Sequence, residues 1–125
     1  MPRPNLNPTE AQEQEWLFQW AGAMQRLRWP ELELMHHIPN GGSRNRIEAA
    51  RLKAQGVKSG VPDIFLPVAR NGRHGLYIEL KRRAGGKVSP EQEKMIRNLN
   101  QQGYMAVVCK GWNAAADVIE KYMGG

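Results

Sequence analysis

The 125-residue sequence predicts an α/β domain, a small mixed sheet covered by helices. Three observations lead there. Apolar residues in 10–27 and again in 90–102 recur at three- and four-residue steps, the pattern of helices with one buried face. Short runs of branched and aromatic residues, punctuated by Gly, Pro and Asn, read as strands. The two kinds of segment alternate along the chain, in the order α-β-α-β-β-α-β-α, with no internal repeat and no second core. Residues 1–8 read as a flexible lead-in and 9–125 as one domain.

Thr9 is the expected N-cap of a first helix reaching about Leu27, with Trp16, Leu17, Trp20, Ala21, Met24 and Leu27 on its buried face. Trp29-Pro30 ends it. Glu31 to Ile38 is expected as a first strand, with Leu32, Leu34, His36 and Ile38 toward one side. Pro39-Asn40-Gly41-Gly42 signals a turn beside the site, and lacks the Lys-Ser/Thr of a phosphate-binding P-loop. Asn45 to Gln55 reads as a short basic helix closed by Gly56, followed by the loop Lys58-Ser59-Gly60. Val61 to Val68 is the second expected strand, Asn71-Gly72 a hairpin turn and Gly75 to Lys81 the third strand. Ser89-Pro90-Glu91-Gln92 combines an N-cap, a proline at the first helical position and a capping-box glutamine. That helix reaches about Gln102, where Gly103 stops it. Tyr104 to Cys109 is the fourth strand and Asn113 to Tyr122 the last helix.

Hydrophobic residues make up 41% of the chain, enough for one core. No apolar stretch approaches the ~20 residues that span a bilayer, and the N-terminus has no signal-peptide pattern. The expectation is a soluble, cytoplasmic protein of a bacterium or a phage-infected cell. A single cysteine, Cys109, excludes an internal disulfide and a cysteine-based zinc site, and its apolar run predicts that it is buried. Lys and Arg total 18 against 12 Asp and Glu, a net charge of +6. This surplus suggests a polyanionic partner, nucleic acid first. Arg44, Arg46, Lys53, Lys58, Ser59, Arg82 and Lys87 are the candidate phosphate contacts, which would position a duplex without reading its sequence.

Alternation along 76–81 places Glu79 and Lys81 on one face with Tyr77. A hairpin joining Phe65 to Leu76 would bring Asp63 roughly level with Glu79, so that two carboxylates and an ammonium converge. Carboxylate oxygens suit Mg²⁺ or Mn²⁺, which retain waters and accept phosphate oxygens. The Lys81 ammonium would orient an attacking water or stabilise charge developing on phosphorus. An isolated E-x-K is ordinarily a solvated ion pair; Pro62-Asp63 at hairpin distance, in a basic chain, shifts the reading toward chemistry. His36 and His37 have no partner ligands at suitable spacing and are read as structural. Of the four tryptophans, Trp112 is the one considered for an interface.

Gly60-Val61-Pro62-Asp63 with Glu79-Leu80-Lys81 resembles the PD-(D/E)xK nuclease motif. His37-Ile38-Pro39-Asn40-Gly41-Gly42, Glu48-Ala49-Ala50-Arg51-Leu52-Lys53 with Gly56-Val57, and Ser89-Pro90-Glu91-Gln92 are similar to the VRR-NUC branch of that superfamily. This branch includes stand-alone phage and bacterial domains and the nuclease domain of Fanconi-associated nucleases. The resemblance spans roughly Glu10 to Tyr122. It implies a restriction-endonuclease-like αβββαβ core and divalent-metal hydrolysis of phosphodiester bonds. Asp63, Glu79 and the main-chain carbonyl of Leu80 would hold the metal, Lys81 would assist the nucleophile, and Gln92 would be an accessory residue. Gln92 shares a helix face with Met95, Ile96 and Leu99, yet is equally the capping-box glutamine. The family also carries a first-helix glutamate near the metal. Alignment selects Glu10, whereas helical phase puts Glu13 nearer the centre of the apolar face.

Stand-alone members resemble Holliday-junction resolvases, which act as symmetric dimers. The resemblance therefore implies a structure-selective DNA endonuclease acting as a homodimer in DNA repair, with branched or junction DNA as substrate. The alternatives are a nuclease for flaps, nicks or ends, and a DNA-binding module with the nuclease fold but no chemistry.

Overall fold

A computed structural model describes residues 7–39 and 45–124. The turn expected at 40–42, the candidate contact Arg44 and most of the N-terminal lead-in lie outside the described residues. Pro8, at the end of that lead-in, is buried. The chain forms α1 (Glu10–Leu27), a 3-10 turn (Pro30–Leu34), β1 (His36–His37), α2 (Arg46–Ala54), β2 (Ile64–Leu66), β3 (Leu76–Lys81), α3 (Pro90–Gln101), β4 (Met105–Lys110) and α4 (Trp112–Gly124). The αβββαβ core is α1, β1, β2, β3, α3 and β4, with α2 set between β1 and β2. The sheet runs β1-β2-β3-β4; its first two pairings are antiparallel, and β3 and β4 are parallel across the α3 crossover. No helix among the described residues is long and apolar enough to cross a membrane.

Local chemistry sets these elements. Thr9 caps α1 and Ser89 caps α3, each in a reciprocal capping box with the glutamine three residues on. Behind α2, Gly56 donates to the Lys53 carbonyl and Val57 to that of Leu52, a Schellman closure that needs the positive φ of Gly56. Asn71 and Gly72 both have positive φ between the mutually bonded Arg70 and Arg73, the twist-compatible turn that joins β2 to β3.

One face of the sheet, formed by Ile64, Leu66, Leu76, Ile78 and Leu80, packs into the core with Leu17, Ala21, Ala115, Ala116 and Ile119 from α1 and α4. Cys109 is buried, and burial pushes its thiol up to about 11. On the opposite face Phe65 stacks on Tyr77, with Tyr104 edge-on to both.

Three expectations are corrected. The segment expected as a strand from Glu31 to Ile38 is a 3-10 turn followed by a two-residue strand. Its buried residues Leu32 and Met35, with Trp29 just before it, are spaced by three, which is the 3-10 period rather than the strand period. Leu27, expected on the buried face of α1, is 79% exposed, because the helix ends there and the chain turns away. The second strand is also shorter than expected, limited to Ile64–Leu66 between Pro62 and Pro67.

Candidate active site

The β2–β3 ladder pairs Ile64 with Ile78 and Phe65 with Tyr77, so one further step sets Asp63 beside Glu79. Asp63 is held by more than the ladder. Its main-chain oxygen accepts from Ile38 N at 2.6 Å and lies 2.9 Å from His37 Nδ1. Its carboxylate accepts from Leu80 N, at 3.2 Å to Oδ2 and 3.4 Å to Oδ1. The Leu80 side chain is meanwhile in the core. Alternation along β3 then turns Glu79 and Lys81 together to the other face, where Lys81 Nζ lies 3.5 Å from Glu79 Oε2.

Asp63 is 7% exposed, Glu79 3% and Lys81 9%. Glu10, the first residue of α1, brings a third carboxylate; ligand oxygens of Glu10, Asp63 and Glu79 lie within 4.8 Å of one another. Crowding and burial alter their protonation. Burial, then the hydrogen bond and charge of Asp63, push the Glu79 carboxyl up to about 8. Burial likewise raises Asp63, and burial followed by the Asp63 charge raises Glu10. These are hard oxygen donors packed closer than their charges tolerate, with one ammonium beside them. The cluster is compatible with a bound metal ion.

The two first-helix glutamates occupy different places. Glu10 joins the cluster; Glu13 is fully buried one turn on, its carboxylate bonded to Arg83 and to Trp112 N. Gln92 is half-buried, and its Oε1 accepts from Ser89 N at 2.9 Å, so the capping box is formed. It also lines a cleft of about 440 Å³ between α2 and the start of α3, together with Lys53, Lys58, Ser59 and Gly60. Gly60 is required there: its φ is +89°, and a Cβ would stand 2.5 Å from the Glu91 carbonyl oxygen.

Of the other basic candidates, Arg46 opens α2 and Lys87 is exposed on the loop before α3. Arg82 donates to the Asn7 carbonyl at 3.4 Å, while its buried Nε has no partner among the described residues. Trp112 packs against the core rather than standing free. Sequence reasoning passed over Lys94, which lines a smaller depression of about 270 Å³ beside Lys58 and Ser59. It also passed over Arg83, whose partner is 70 residues away. A lysine one turn into a helix, or an arginine in a basic loop, carries no distinguishing local signal.

Comparison with known proteins agrees with this architecture. The sequence profile of the VRR-NUC domain matches residues 7–113, from the start of α1 to the start of α4. A solved structure described as a VRR_NUC domain protein shares 33% identity and a TM-score of 0.80, covering 94% of this chain and 89% of that one. No curated protein sequence matches the chain significantly. The matched profile spans every element that builds the carboxylate cluster, and on that ground the chain belongs to the VRR-NUC domain family, a family of nucleases.

Proposed function

We propose that the protein is a Mg²⁺- or Mn²⁺-dependent DNA endonuclease selective for branched structure, with the four-way junction as preferred substrate. The observation that carries this reading is the meeting of Glu10, Asp63 and Glu79 around one small volume, with the Lys81 ammonium beside Glu79. Asp63 and Glu79 would hold the metal, with Glu10 and the main-chain carbonyl of Leu80 completing the oxygen donors. Such a metal supplies Lewis-acid polarisation of the phosphate and eases deprotonation of water. Lys81 is fixed by Glu79 and largely withdrawn from solvent, so its charge is only weakly screened. It would orient the water and oppose the negative charge that grows on the phosphoryl oxygens. Gln92, at the rim of the cleft, would contact the substrate backbone through whatever donor capacity its cap leaves free.

Lys53, Lys58 and Ser59 line that cleft and would hold phosphates, with Arg44, Arg46, Arg82 and Lys87 as outlying contacts. Contacts of this kind follow the path of a backbone, not a base sequence, which favours selection by DNA shape. Cutting two strands of a junction symmetrically calls for two copies, hence a homodimer. The test is cleavage of labelled four-way junction, flap and linear duplex, in Mg²⁺ and in EDTA. Metal-dependent cutting of the junction above the others, lost in Lys81→Ala, supports the proposal. Equal cutting of linear duplex removes the junction preference and leaves the nuclease. Metal-independent cutting, or full activity in Lys81→Ala, removes the catalytic assignment.

A further inference from the structure

Glu13 is a fully buried carboxylate that the proposed chemistry does not use. Both of its oxygens are committed. Oε2 accepts from Arg83 N at 2.9 Å and Arg83 Nε at 3.1 Å; Oε1 accepts from Arg83 Nη2 at 2.8 Å and Trp112 N at 3.2 Å. The pair is enclosed on one side by Gly111, where a Cβ would stand 3.6 Å from Glu13 Oε2, and Trp16 lies 6.0 Å from the guanidinium. We infer that the Glu13–Arg83 pair is the positioning device of the active site, locking the first turn of α1 to the end of β3 so that Glu10 reaches Asp63 and Glu79.

The topology gives the reason. Arg83 lies two residues beyond Lys81, and Trp112 is the first residue of α4. Gly111 N donates to the Lys81 carbonyl at 2.8 Å, so the end of β3 is already tied to the start of α4. Glu13 joins α1 to both. Glu10 precedes it by three residues and therefore shares its side of the helix. Elsewhere α1 is held by Leu17 and Ala21, apolar contacts that reward burial but tolerate small slides and rotations. A bidentate arginine–carboxylate fork fixes distance and direction together. A metal site needs its ligands held to about half an ångström. Only Glu13 is buried; the Arg83 side chain is 38% exposed, and a partly exposed ion pair adds little net stability, so its use here favours geometry over stability. Glu13 and Arg83 touch no reacting group; they act through Glu10.

This inference rests on the metal-dependent reading above. Its test is Mn²⁺ titration of the metal-stripped full chain, followed by electron paramagnetic resonance, with thermal unfolding of each variant. Glu13→Gln, which sets an amide N–H₂ among donors, is expected to weaken Mn²⁺ binding at least tenfold. Arg83→Lys, which keeps the charge and loses the fork, should weaken it less. The double variant Glu13→Met with Arg83→Leu leaves no buried charge unpaired; it is expected to fold and still bind Mn²⁺ weakly. Tyr122→Phe, which removes the hydrogen bond to the Val68 carbonyl, should lower the melting temperature without moving the Mn²⁺ midpoint. The inference is overturned if the double variant folds and binds Mn²⁺ as the wild type does, or if Tyr122→Phe shifts the midpoint as far as Glu13→Gln. Absence of Mn²⁺ binding by the wild type, or binding undiminished in Asp63→Asn, would overturn the metal reading itself and this inference with it.

Discussion

Replacing Glu79 by glutamine should make the metal-free protein more stable while abolishing the proposed metal binding. The folded protein holds the Glu79 carboxyl at about 8 against an ordinary 4.5, because the group is buried beside Asp63. An acid whose folded value is raised favours folding in its protonated form. Its contribution is therefore complete below pH 4.5 and is lost as pH rises toward 8. At pH 7 the unfolded chain gains by ionising over roughly 2.5 pH units, a destabilisation of about 3 kcal/mol at ~1.4 kcal/mol per unit. Glutamine does not ionise and escapes it. Loss of the attraction between Lys81 and the ionised fraction of Glu79 takes back part of the gain. For a chain of this length the remainder corresponds to a rise of about 5–10 °C in Tm. The assay is thermal unfolding by circular dichroism in EDTA, wild type against E79Q, at pH 5 and pH 7.5. The gap should be small at pH 5 and widen at pH 7.5. Adding Mg²⁺ should then raise the wild type and leave E79Q unmoved, since only a ligand bound to the folded state shifts the equilibrium. A gap that does not change with pH, or E79Q melting below wild type at pH 7.5, would refute the reasoning.

Lys81→Met should slow junction cleavage by about 10²-fold, the usual effect of removing one transition-state contact, while Mn²⁺ binding stays at least as tight because a neighbouring positive charge is gone; a parallel loss of binding would make Lys81 a structural partner of Glu79 only. Gly60→Ala should cost about 2–3 kcal/mol in urea unfolding, since the new Cβ would meet the Glu91 carbonyl at 2.5 Å in a backbone of φ +89°. The pair Lys53→Ala and Lys58→Ala should weaken binding to junction DNA and reduce the slope of log affinity against log salt by about 2. An unchanged slope would place the phosphates elsewhere than the cleft these lysines line.

What was legible in the sequence was what short-range chemistry decides. The capping box at Ser89 and Gln92 and the turn at Asn71-Gly72 need only neighbours within four residues, and both are formed. The turn in turn sets the β2–β3 register, so the approach of Asp63 to Glu79 was also readable. The failure at Glu31 to Ile38 has a specific cause. Glu31-Leu32-Glu33-Leu34 alternates like a strand, but the chain also contains Trp29, Leu32 and Met35 at three-residue spacing, and tertiary burial selected that set. Helical phase selected Glu13, which is the buried one, whereas the carboxylate cluster takes the exposed Glu10. Their difference is made by Arg83, which is distant in sequence and adjacent only after β3 and α1 pack.

The same register explains how a site made of mutually repelling carboxylates survives in the folded state. Ile64 and Leu66 face the core while Asp63 and Phe65 face the other way. A slip of one residue along β3 would send both aliphatic side chains outward and carry Asp63 toward the core. Burying a Leu or Ile side chain contributes about 1.5–3 kcal/mol, so two such residues outweigh what separating Asp63 from Glu79 would gain. β2 is only three residues long, however, and its ladder alone is a weak restraint. The donations to Asp63 from Ile38 N and Leu80 N add restraint just beyond the strand, and the Glu13–Arg83 pair adds it across the helix. The apolar face thus chooses the register, and polar contacts outside the strands hold the carboxylates within it.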